Sequence, residues 1–387
     1  MRVCLVNLDG PPDRSSGLGV YGETLAGGLS SLGHEVTMVA TRRPGMAAHT
    51  RWGDVKVHRV SAAVDWIDFS WRAAATVDAL HRHRPFDVVH FADVHFAYRY
   101  RGPFVAGLHQ SFRQRLVSDG GRPYHSSWRG LVTRSAYCRL ARGLAEAPSL
   151  RRAQLLLAVS SATADEFATH YGVPRERLRV IPNGIDLERF RPIPAAALRR
   201  DLGLGDEDIA LLYVGFCTPR KGLEHLARAM GLLPSRVKLV LVGRWEAEYK
   251  ARFYRTLGDA GDRVIECGYV ADEALPLYYN LADVFVFPSL LEGFGLPLAE
   301  SLACGTPVVA TLGSASPEVV GPGGRLVPSR DPDALAAAIR ELAEDRDLRR
   351  QLADLGRAWV LERFDRRRMV QQTVEAYIEA SRMTMES

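Results

Sequence analysis

The chain has 387 residues, a length that favours two domains over a single hydrophobic core. With 47% hydrophobic and 25% charged residues it is ordinary globular material, which excludes a disordered or fibrous protein. No apolar run approaches the ~20 residues of a membrane-spanning helix, and five scattered cysteines without a CxxC pair argue against a disulfide framework or a structural zinc.

The predicted elements alternate between strands and helices along the chain. The predicted strands are Val3–Leu8, Glu35–Ala40, Phe86–Phe91, Phe104–Leu108, Leu155–Val159, Leu178–Ile181, Ile209–Gly215, Val237–Val242, Val264–Cys267, Val284–Phe287 and Val308–Ala310. The predicted helices include Gly19–Leu32, Ala73–His83, Ser161–His170, Gly222–Leu233, Ala274–Leu281 and Pro332–Leu342. Several strands are continuously apolar, as strands buried on both faces are. The alternation predicts an α/β protein with parallel sheets covered by helices.

The domain boundary is expected near Pro182–Pro194, where two proline-containing turns precede a new strand–helix series. We therefore predict one domain over 1–188 and a second over 189–365. The last helix, about 366–387, is expected to cross back to the first domain. The N-terminal apolar run ends at Asp9 before a signal-peptide core could develop, which predicts a cytoplasmic protein.

The net charge of +5 is unevenly distributed along the chain. The steepest basic stretch, Arg99–Arg152, holds eleven arginines against Asp119 and Glu146. Such a surface suits an anionic substrate, a membrane surface or nucleic acid, and a solvated helical face has the same composition. A nucleic-acid-binding protein is thus one alternative, although no recognition motif accompanies the arginines.

The first glycine cluster, Gly17, Gly19 and Gly22, matches the GxGxxG pattern between a strand and a helix. Glycines there let backbone N–H groups approach a phosphate at the positive end of the helix. An eight-residue loop precedes the pattern, and Arg42 and Arg43 stand after the second strand where a nicotinamide site would have an acidic ribose ligand. An NADP-dependent oxidoreductase and a purely structural turn are the alternatives to a phosphate site.

The most specific motif runs from Ser289 to Val309. A buried strand leads into a Gly-Phe-Gly loop that opens a helix, with Glu292 in the loop and Glu300 on the helix. Both carboxylates therefore lie near the carboxyl edge of a parallel sheet, where ligands of such folds bind. Carboxylates accept hydrogen bonds from sugar or ribose hydroxyls, while loop N–H groups face phosphate.

A third cluster, Gly215–Gly222, also follows a strand and opens a helix. It places Arg220 and Lys221 at the mouth of the same sheet, and both cations suit a diphosphate. A solvated helix N-terminus explains them less well, because cations oppose the helix dipole there.

Together these clusters resemble glycosyltransferase family 4, the retaining nucleotide-sugar enzymes of the GT-B fold with two facing Rossmann-like domains. The resemblance covers most of the chain, and Glu292 and Glu300 stand as that family's E-x7-E pair. The other matching segments, in the family's order, are Gly33–Val36, Asp87–His90, Ala158–Ser160, Val180–Asp186 and Gly268–Val270. A phosphorylase-like or epimerase-like enzyme explains this order less well.

The resemblance implies a role for each donor-site position. Glu300 holds the ribose hydroxyls and Glu292 contacts hydroxyls of the donor sugar, while Gly17 approaches the diphosphate from the opposite domain. Arg220 and Lys221 neutralise the diphosphate. Backbone groups assist at Gly293, Phe294, Gly295 and Leu296.

His109, which ends a predicted strand, matches the family's active-site histidine near the donor sugar. One position departs from the family, which commonly has an arginine where this chain has Phe216. The phosphate charge then rests on Arg220 and Lys221. The resemblance implies a retaining hexosyltransferase whose co-substrate is a nucleotide-sugar and which has no cofactor. The Asp-x-Asp sequences 206–208 and 331–333 are interpreted as a polar turn and a helix N-cap, so metal independence is expected. A UDP-hexose is the expected donor because such donors are common, and GDP- and ADP-sugars are left open.

The acceptor is expected in the first domain. It is a hydroxyl of a carbohydrate, a small molecule or a lipid, with peripheral membrane contact left open and no nucleic acid expected. The candidate acceptor residues are Asp9, Asp93, His95, Tyr124, His125 and Trp128.

Overall fold

A computed structural model describes residues 1–12, 16–62, 65–117 and 128–386. The chain divides into two compact units: unit 1 comprises Met1–Gly184 and Arg366–Ser387, and unit 2 comprises Ile185–Asp365. The division falls a few residues before the expected 188/189 boundary, and the C-terminal helix packs with unit 1.

In the described part of unit 1, eight strands form one sheet in the order β3-β4-β2-β1-β5-β6-β7-β8. Their bounds are β1 Arg2–Val6, β2 Glu35–Thr41, β3 His49–Trp52, β4 Val55–Val60, β5 Val88–Phe91, β6 Val105–Leu108, β7 Leu155–Ala158 and β8 Leu178–Val180. All neighbours are parallel except β3, which is antiparallel to β4. The strand order reverses between β1 and β5.

Unit 2 contains six parallel strands in the order β11-β10-β9-β12-β13-β14. The bounds are β9 Ile209–Val214, β10 Val237–Val242, β11 Val264–Gly268, β12 Val284–Phe287, β13 Val308–Leu312 and β14 Gly324–Pro328. This is the order of a doubly wound dinucleotide-binding sheet, which reverses at its middle pair, β9 and β12.

Helices cover both sheets. Those of unit 1 are α1 Gly17–Ser31, α2 Asp65–His83, α3 Phe112–Val117, α4 Trp128–Ala141, α5 Ala147–Arg152 and α6 Ser161–Tyr171. Those of unit 2 are α7 Ala196–Asp201, α8 Leu223–Gly231, α9 Tyr249–Leu257, α10 Leu275–Leu281, α11 Leu296–Ala303, α12 Ser316–Val320, α13 Pro332–Glu344 and α14 Arg346–Arg363, and the chain ends in α15 Arg366–Glu386. No helix in the part of the chain that the structure describes is long and apolar enough to cross a bilayer.

Local sequence signals set several helix ends. The side chain of Ser160 accepts a hydrogen bond from the Thr163 amide and caps α6, which ends at Gly172 in the left-handed conformation. Asp331 caps α13 in the same way, with a proline directly after it. These caps satisfy backbone groups that the helices themselves leave unpaired.

The last helix, α15, is anchored to unit 1 by buried contacts. The Tyr377 hydroxyl lies 2.6 Å from Nδ1 of His90 on β5, and both side chains are fully buried. Burial lowers the pKa of His90 to about 3, so the ring is neutral. A Cβ on Gly28 of α1 would lie 2.3 Å from a methyl group of Val370, so the two helices approach closely only because position 28 is glycine.

We expect Tyr377→Phe to lower the free energy of unfolding by about 1–3 kcal/mol, because it leaves the His90 nitrogen buried without its partner. Thermal unfolding of the full chain measures the effect. Ile378→Ala, at a neighbouring position that is 42% exposed, serves as the control and should cost less. Equal melting temperatures for Tyr377→Phe and the wild type would contradict this account of how α15 is held.

Candidate active site

Two loops of unit 2 follow the strands at which the sheet order reverses. The loop after β9 carries Arg220 and Lys221, and the loop after β12 carries Glu292. The two strands are paired directly, with Val284 opposite Leu211. Ligands of open α/β sheets bind beyond the carboxyl ends of such a strand pair. The structure therefore brings three of the predicted residues to this edge.

Lys221 and Glu292 form a buried ion pair. The lysine Nζ lies 2.5 Å from Oε1 of Glu292, and the glutamate is only 8% exposed. The Ser289 hydroxyl donates to the same carboxylate oxygen. The Arg220 guanidinium lies 3.8 Å from it and donates to the Leu291 carbonyl at 2.8 Å. Lys221 thus pairs with Glu292 instead of standing as a free cation.

The charges around Glu292 decide its ionisation. Burial opposes the charged form, but the charges of Lys221 and Arg220 and the hydrogen bonds from Lys221 and Ser289 outweigh it. The pKa of Glu292 is therefore below its ordinary value. Burial lowers the pKa of Lys221, while Glu292 opposes that shift. Glu292 remains a carboxylate at neutral pH.

Backbone geometry holds the two loops together. Gly222 has a φ of +69°, and a Cβ there would lie 2.0 Å from the Pro288 carbonyl oxygen. Only glycine allows both the left-handed conformation and this close approach. The amide of Leu290 also donates to the Arg220 carbonyl at 2.9 Å. The ion pair therefore sits on a fixed backbone frame.

The Gly-Phe-Gly loop leads from Glu292 into α11. Gly293, Phe294 and Gly295 are buried, and Gly295 precedes the helix with a φ of +93°. The Phe294 ring packs edge-on against Phe364 with centroids 5.2 Å apart. Leu296 is the first residue of α11. An aromatic contact thus anchors the loop at the start of α11.

Glu300, on α11, is held differently from Glu292. Its Oε2 accepts a hydrogen bond of 2.7 Å from the Tyr279 hydroxyl on α10. Burial raises the pKa of Glu300 to about 7, although the Tyr279 hydrogen bond and the charge of Arg189 act in the opposite direction. The two glutamates therefore have pKa values shifted in opposite directions.

Phe216 stands on the loop directly after β9. Its side chain is 54% exposed, and its carbonyl accepts a hydrogen bond of 3.3 Å from the Tyr213 hydroxyl. The position expected to carry an arginine in the family therefore presents an apolar ring at the carboxyl edge of the sheet.

The glycine cluster of unit 1 forms the start of α1. Ser16 caps the helix by accepting from the Gly19 amide at 3.1 Å, and Gly17 is the first helical residue. A Cβ on Gly22 would lie 2.1 Å from the amide nitrogen of the Asn7 side chain. The third glycine therefore serves the packing of α1 on β1, and the first two lie at the helix N-terminus.

Asp9 organises this loop from the end of β1. Its carboxylate accepts from the Ser16 hydroxyl and pairs with Arg43 at 2.9 Å, and the residue is 6% exposed. Arg43, one of the two arginines weighed for a 2′-phosphate, is thus engaged with Asp9. Asp9 stays a predicted acceptor residue, now with two protein contacts.

Asp93, His95 and His109 follow the neighbouring strands β5 and β6. His95 Nδ1 lies 2.8 Å from the Asp93 carboxylate, and both residues are buried. Burial works against ionisation of Asp93, but the charge and hydrogen bond of His95 prevail and keep the pKa of Asp93 below its ordinary value. Its Oδ2 is buried and has no hydrogen-bond partner among the described residues.

His109 lies beside this pair at the end of β6. Burial lowers the pKa of its imidazole, while the charge of Asp93 opposes the shift. The ring packs edge-on against Tyr21 at 5.0 Å, and its Nε2 is buried with no partner in the described part of the chain. A Cβ on Gly107 would lie 2.3 Å from the Ala92 carbonyl oxygen, so glycine is needed at that position.

Three predicted acceptor residues fall where side chains are not described. Tyr124 and His125 lie outside the described residues. Trp128 begins α4, and its side chain is likewise outside the description. The structure therefore places Asp9, Asp93 and His95 and says nothing of the other three side chains.

Sequence reasoning missed several residues that hold the site. Tyr279 and Ser289 each donate to one of the two glutamates, and nothing in their spacing marks them. Glu146 is fully buried in a π-helical turn, where its carboxylate accepts a hydrogen bond of 3.1 Å from the Phe112 amide. Burial raises the pKa of Glu146 to about 7. The available signal for Glu146 was that it is one of only two acids in an arginine-rich stretch.

Solved structures match this fold over the whole chain. Sucrose-phosphate synthase from Thermosynechococcus elongatus superposes with a TM-score of 0.82 at 23% identity, covering 100% of both chains. HepE from Anabaena, solved with UDP and glucose, gives 0.75 at 21% identity over 97% of this chain and 99% of that one. The fold is therefore that of the GT-B glycosyltransferases.

Two family models cover most of the sequence. Residues 15–189 match the model for Glycosyltransferase Family 4, and residues 195–359 match the model for Glycosyl transferases group 1. The chain belongs to glycosyltransferase family 4, as the sequence motifs predicted.

Curated relatives extend the comparison. The chain is 30% identical to the MMP alpha-(1->4)-mannosyltransferase of Mycolicibacterium hassiacum, over 98% of both chains. It is 36% identical to a GDP-mannose-dependent alpha-(1-6)-phosphatidylinositol monomannoside mannosyltransferase of Mycobacterium tuberculosis, over 52% of this chain and 56% of that protein. The protein is accordingly a glycosyltransferase.

We expect Lys221→Met to destabilise the protein, and more so as pH rises. In the wild type the depressed pKa of Glu292 adds stability above about pH 4.5, which is lost as pH falls through the folded-state pKa. Without Lys221, burial raises the pKa of Glu292, so the folded state binds a proton more tightly than the unfolded chain and stability falls with rising pH. A buried pair that loses one partner costs about 3–5 kcal/mol.

Melting temperatures at about pH 5 and about pH 8 measure this difference. Lys250→Met is the matched control, because Lys250 pairs with Glu266 at 2.7 Å on the surface and should contribute less than about 1 kcal/mol at either pH. If the two variants melted alike, or if the loss in Lys221→Met did not grow with pH, the interpretation of the buried pair would be wrong.

Proposed function

We propose that this protein transfers a hexosyl residue, with retention of anomeric configuration and without a metal ion, from a nucleotide diphosphate sugar to a hydroxyl acceptor. The observation that carries the proposal is the pair of glutamates at the point where the strand order of the unit 2 sheet reverses. Glu292 is ionised beside Lys221, and Glu300 is half-buried beside Tyr279. Glu300 receives the ribose hydroxyls, and Glu292 receives hydroxyls of the donor sugar.

GDP-mannose is the donor that we propose first. The relative from Mycolicibacterium hassiacum, which matches over 98% of both chains, is named a mannosyltransferase. The relative from Mycobacterium tuberculosis, which matches over about half of each chain, is named GDP-mannose-dependent. The expectation of a UDP-sugar rests on how common such donors are, and HepE, which was solved with UDP and glucose, shares the fold at only 21% identity. UDP-glucose is therefore the second candidate.

The negative charge that develops on the leaving diphosphate is the main charge that the site must stabilise. As the bond between the anomeric carbon and the phosphate oxygen breaks, negative charge grows on that oxygen. Arg220 and Lys221 lie at the β9–β12 sheet edge on a loop fixed by Gly222, and together with Glu292 they leave a net positive charge that stabilises the departing group. The acceptor oxygen forms its bond on the same face, and its proton passes to the departing phosphate oxygen.

Metal independence is supported by the local roles of three Asp-x-Asp sequences, at 206–208, 331–333 and 345–347. Asp345 caps α14 by accepting from the Leu348 amide at 2.8 Å. Asp331 caps α13 by accepting from the Ala334 amide at 2.9 Å, and Asp208 accepts from the Gly205 amide at 2.9 Å. These carboxylates serve local turns, which leaves the charge of the diphosphate to cations of the protein.

The acceptor is proposed to bind unit 1 at the ends of β5 and β6. Asp93 and His109 each present a buried polar atom without a partner among the described residues, as expected for groups that complete their hydrogen bonds with a hydroxylated molecule. The acceptor class remains a hydroxyl of a carbohydrate, a small molecule or a lipid.

The first experiment is a hydrolysis screen of GDP-mannose, UDP-glucose and ADP-glucose with the full chain. We expect GDP-mannose to be turned over fastest, at an unchanged rate in EDTA, with the α-configured sugar released first in proton NMR. Faster hydrolysis of UDP-glucose than of GDP-mannose would make UDP-glucose the donor in this proposal. Loss of activity in EDTA or initial release of the β-anomer would contradict the metal-independent or the retaining part of the proposal.

Glu292→Gln tests the assigned site, because it keeps the side-chain shape and removes the charge. We expect kcat/KM for the donor to fall by about 100-fold or more. Glu266→Gln changes the partner of a surface lysine and should leave the rate unaffected. Full activity of a folded Glu292→Gln variant would show that the site is elsewhere.

A further inference from the structure

We propose that Tyr279 is a positioning residue for donor binding: its hydroxyl fixes one oxygen of Glu300 so that the other oxygen faces the ribose hydroxyls. The inference rests on the proposed function, since it takes Glu300 as the ribose ligand. It adds a residue that neither the motif pattern nor the resemblance pointed to.

The contact engages one half of the carboxylate only. The Tyr279 hydroxyl lies 2.7 Å from Oε2 of Glu300. Among the described residues, none donates to Oε1, and Glu300 as a whole is half-buried. A carboxylate offers about four lone-pair sites, so Oε1 retains full capacity for a ligand hydroxyl.

Packing holds the Tyr279 side chain in one orientation. Its side chain is fully buried and lies edge-on to Phe285 and Phe190, with centroids 5.5 Å and 5.9 Å away. Its backbone carbonyl accepts a hydrogen bond of 2.7 Å from Thr306, which follows α11. The element that carries Tyr279 is thereby tied to the end of the helix that carries Glu300.

Electrostatics fix which of the two groups donates the hydrogen bond. Burial and the neighbouring Glu300 charge raise the pKa of Tyr279 well above its ordinary value, so the phenol always donates. The same hydrogen bond lowers the pKa of Glu300 against the effect of burial. Tyr279 therefore helps keep Glu300 ionised near neutral pH, where an ionised carboxylate accepts hydrogen bonds most strongly.

Nucleotide binding to the full chain tests this without knowledge of the acceptor. GDP and 2′-deoxy-GDP are titrated calorimetrically, with UDP and 2′-deoxy-UDP in parallel, so that the comparison does not depend on the base. Loss of one hydrogen bond to a charged group corresponds to roughly a tenfold difference in affinity or more. We expect the wild type to discriminate by that factor and Tyr279→Phe to discriminate by less than about threefold.

The pH dependence of GDP binding provides a second readout that loss of packing would not move. In Tyr279→Phe the pKa of Glu300 rises, so the pH at which binding weakens on acidification moves upward. 3-Fluorotyrosine at position 279 keeps the ring and makes the hydroxyl a stronger donor, so it should move that pH downward. This substitution also serves if Tyr279→Phe does not fold.

Tyr278→Phe is the matched control. It removes a hydroxyl from the same helix, one that contacts Cys267 instead of Glu300, and should leave both readouts unchanged. In the Glu300→Gln background, Tyr279→Phe should have no further effect on the ribose preference.

The outcomes separate this inference from the proposed function. If Glu300→Gln abolishes the preference for ribose while Tyr279→Phe behaves like Tyr278→Phe, the positioning role is overturned and the proposed function stands. If Glu300→Gln leaves the preference intact, the assignment of Glu300 fails and the role of Tyr279 fails with it.

Discussion

The buried contact between Lys221 and Glu292 is the constraint on which the β9–β12 edge of unit 2 depends. Each charge costs several kcal/mol to remove from water, and the pair persists only where geometry and extra hydrogen bonds compensate. Here the backbone supplies the geometry, since Gly222 passes so close to Pro288 that no Cβ fits. Strand pairing of β9 with β12 brings the two loops together before any ligand arrives.

The same sheet edge gives its two carboxylates opposite environments. Glu292 lies among cations and has a lowered pKa, whereas burial raises that of Glu300 to about 7. Groups whose surroundings separate their pKa values take different roles. In the proposed function, Glu292 accepts from sugar hydroxyls next to a diphosphate whose charge the cations balance. Glu300, whose ionisation the Tyr279 hydrogen bond supports, accepts from the ribose hydroxyls.

Much of the fold could be predicted because buried parallel strands are continuous apolar runs; the predicted bounds Val237–Val242 and Val284–Phe287 are those observed. The exposed, polar strand His49–Trp52 was missed because it carries no such signal. Contacts between residues that are far apart in the sequence could not be predicted either. Neither the 287-residue separation of His90 and Tyr377 nor the link from Tyr279 to Glu300 leaves a periodic pattern. The glutamate pair was predictable because glycines and carboxylates at a strand end carry chemical meaning.

The most direct test of the account is a crystal structure of the protein with GDP. We expect the ribose hydroxyls to lie within about 3.2 Å of Glu300, with the Tyr279 contact retained and the diphosphate beside Arg220 and Lys221. A nucleotide bound away from the β9–β12 edge, or one whose ribose does not reach Glu300, would contradict it.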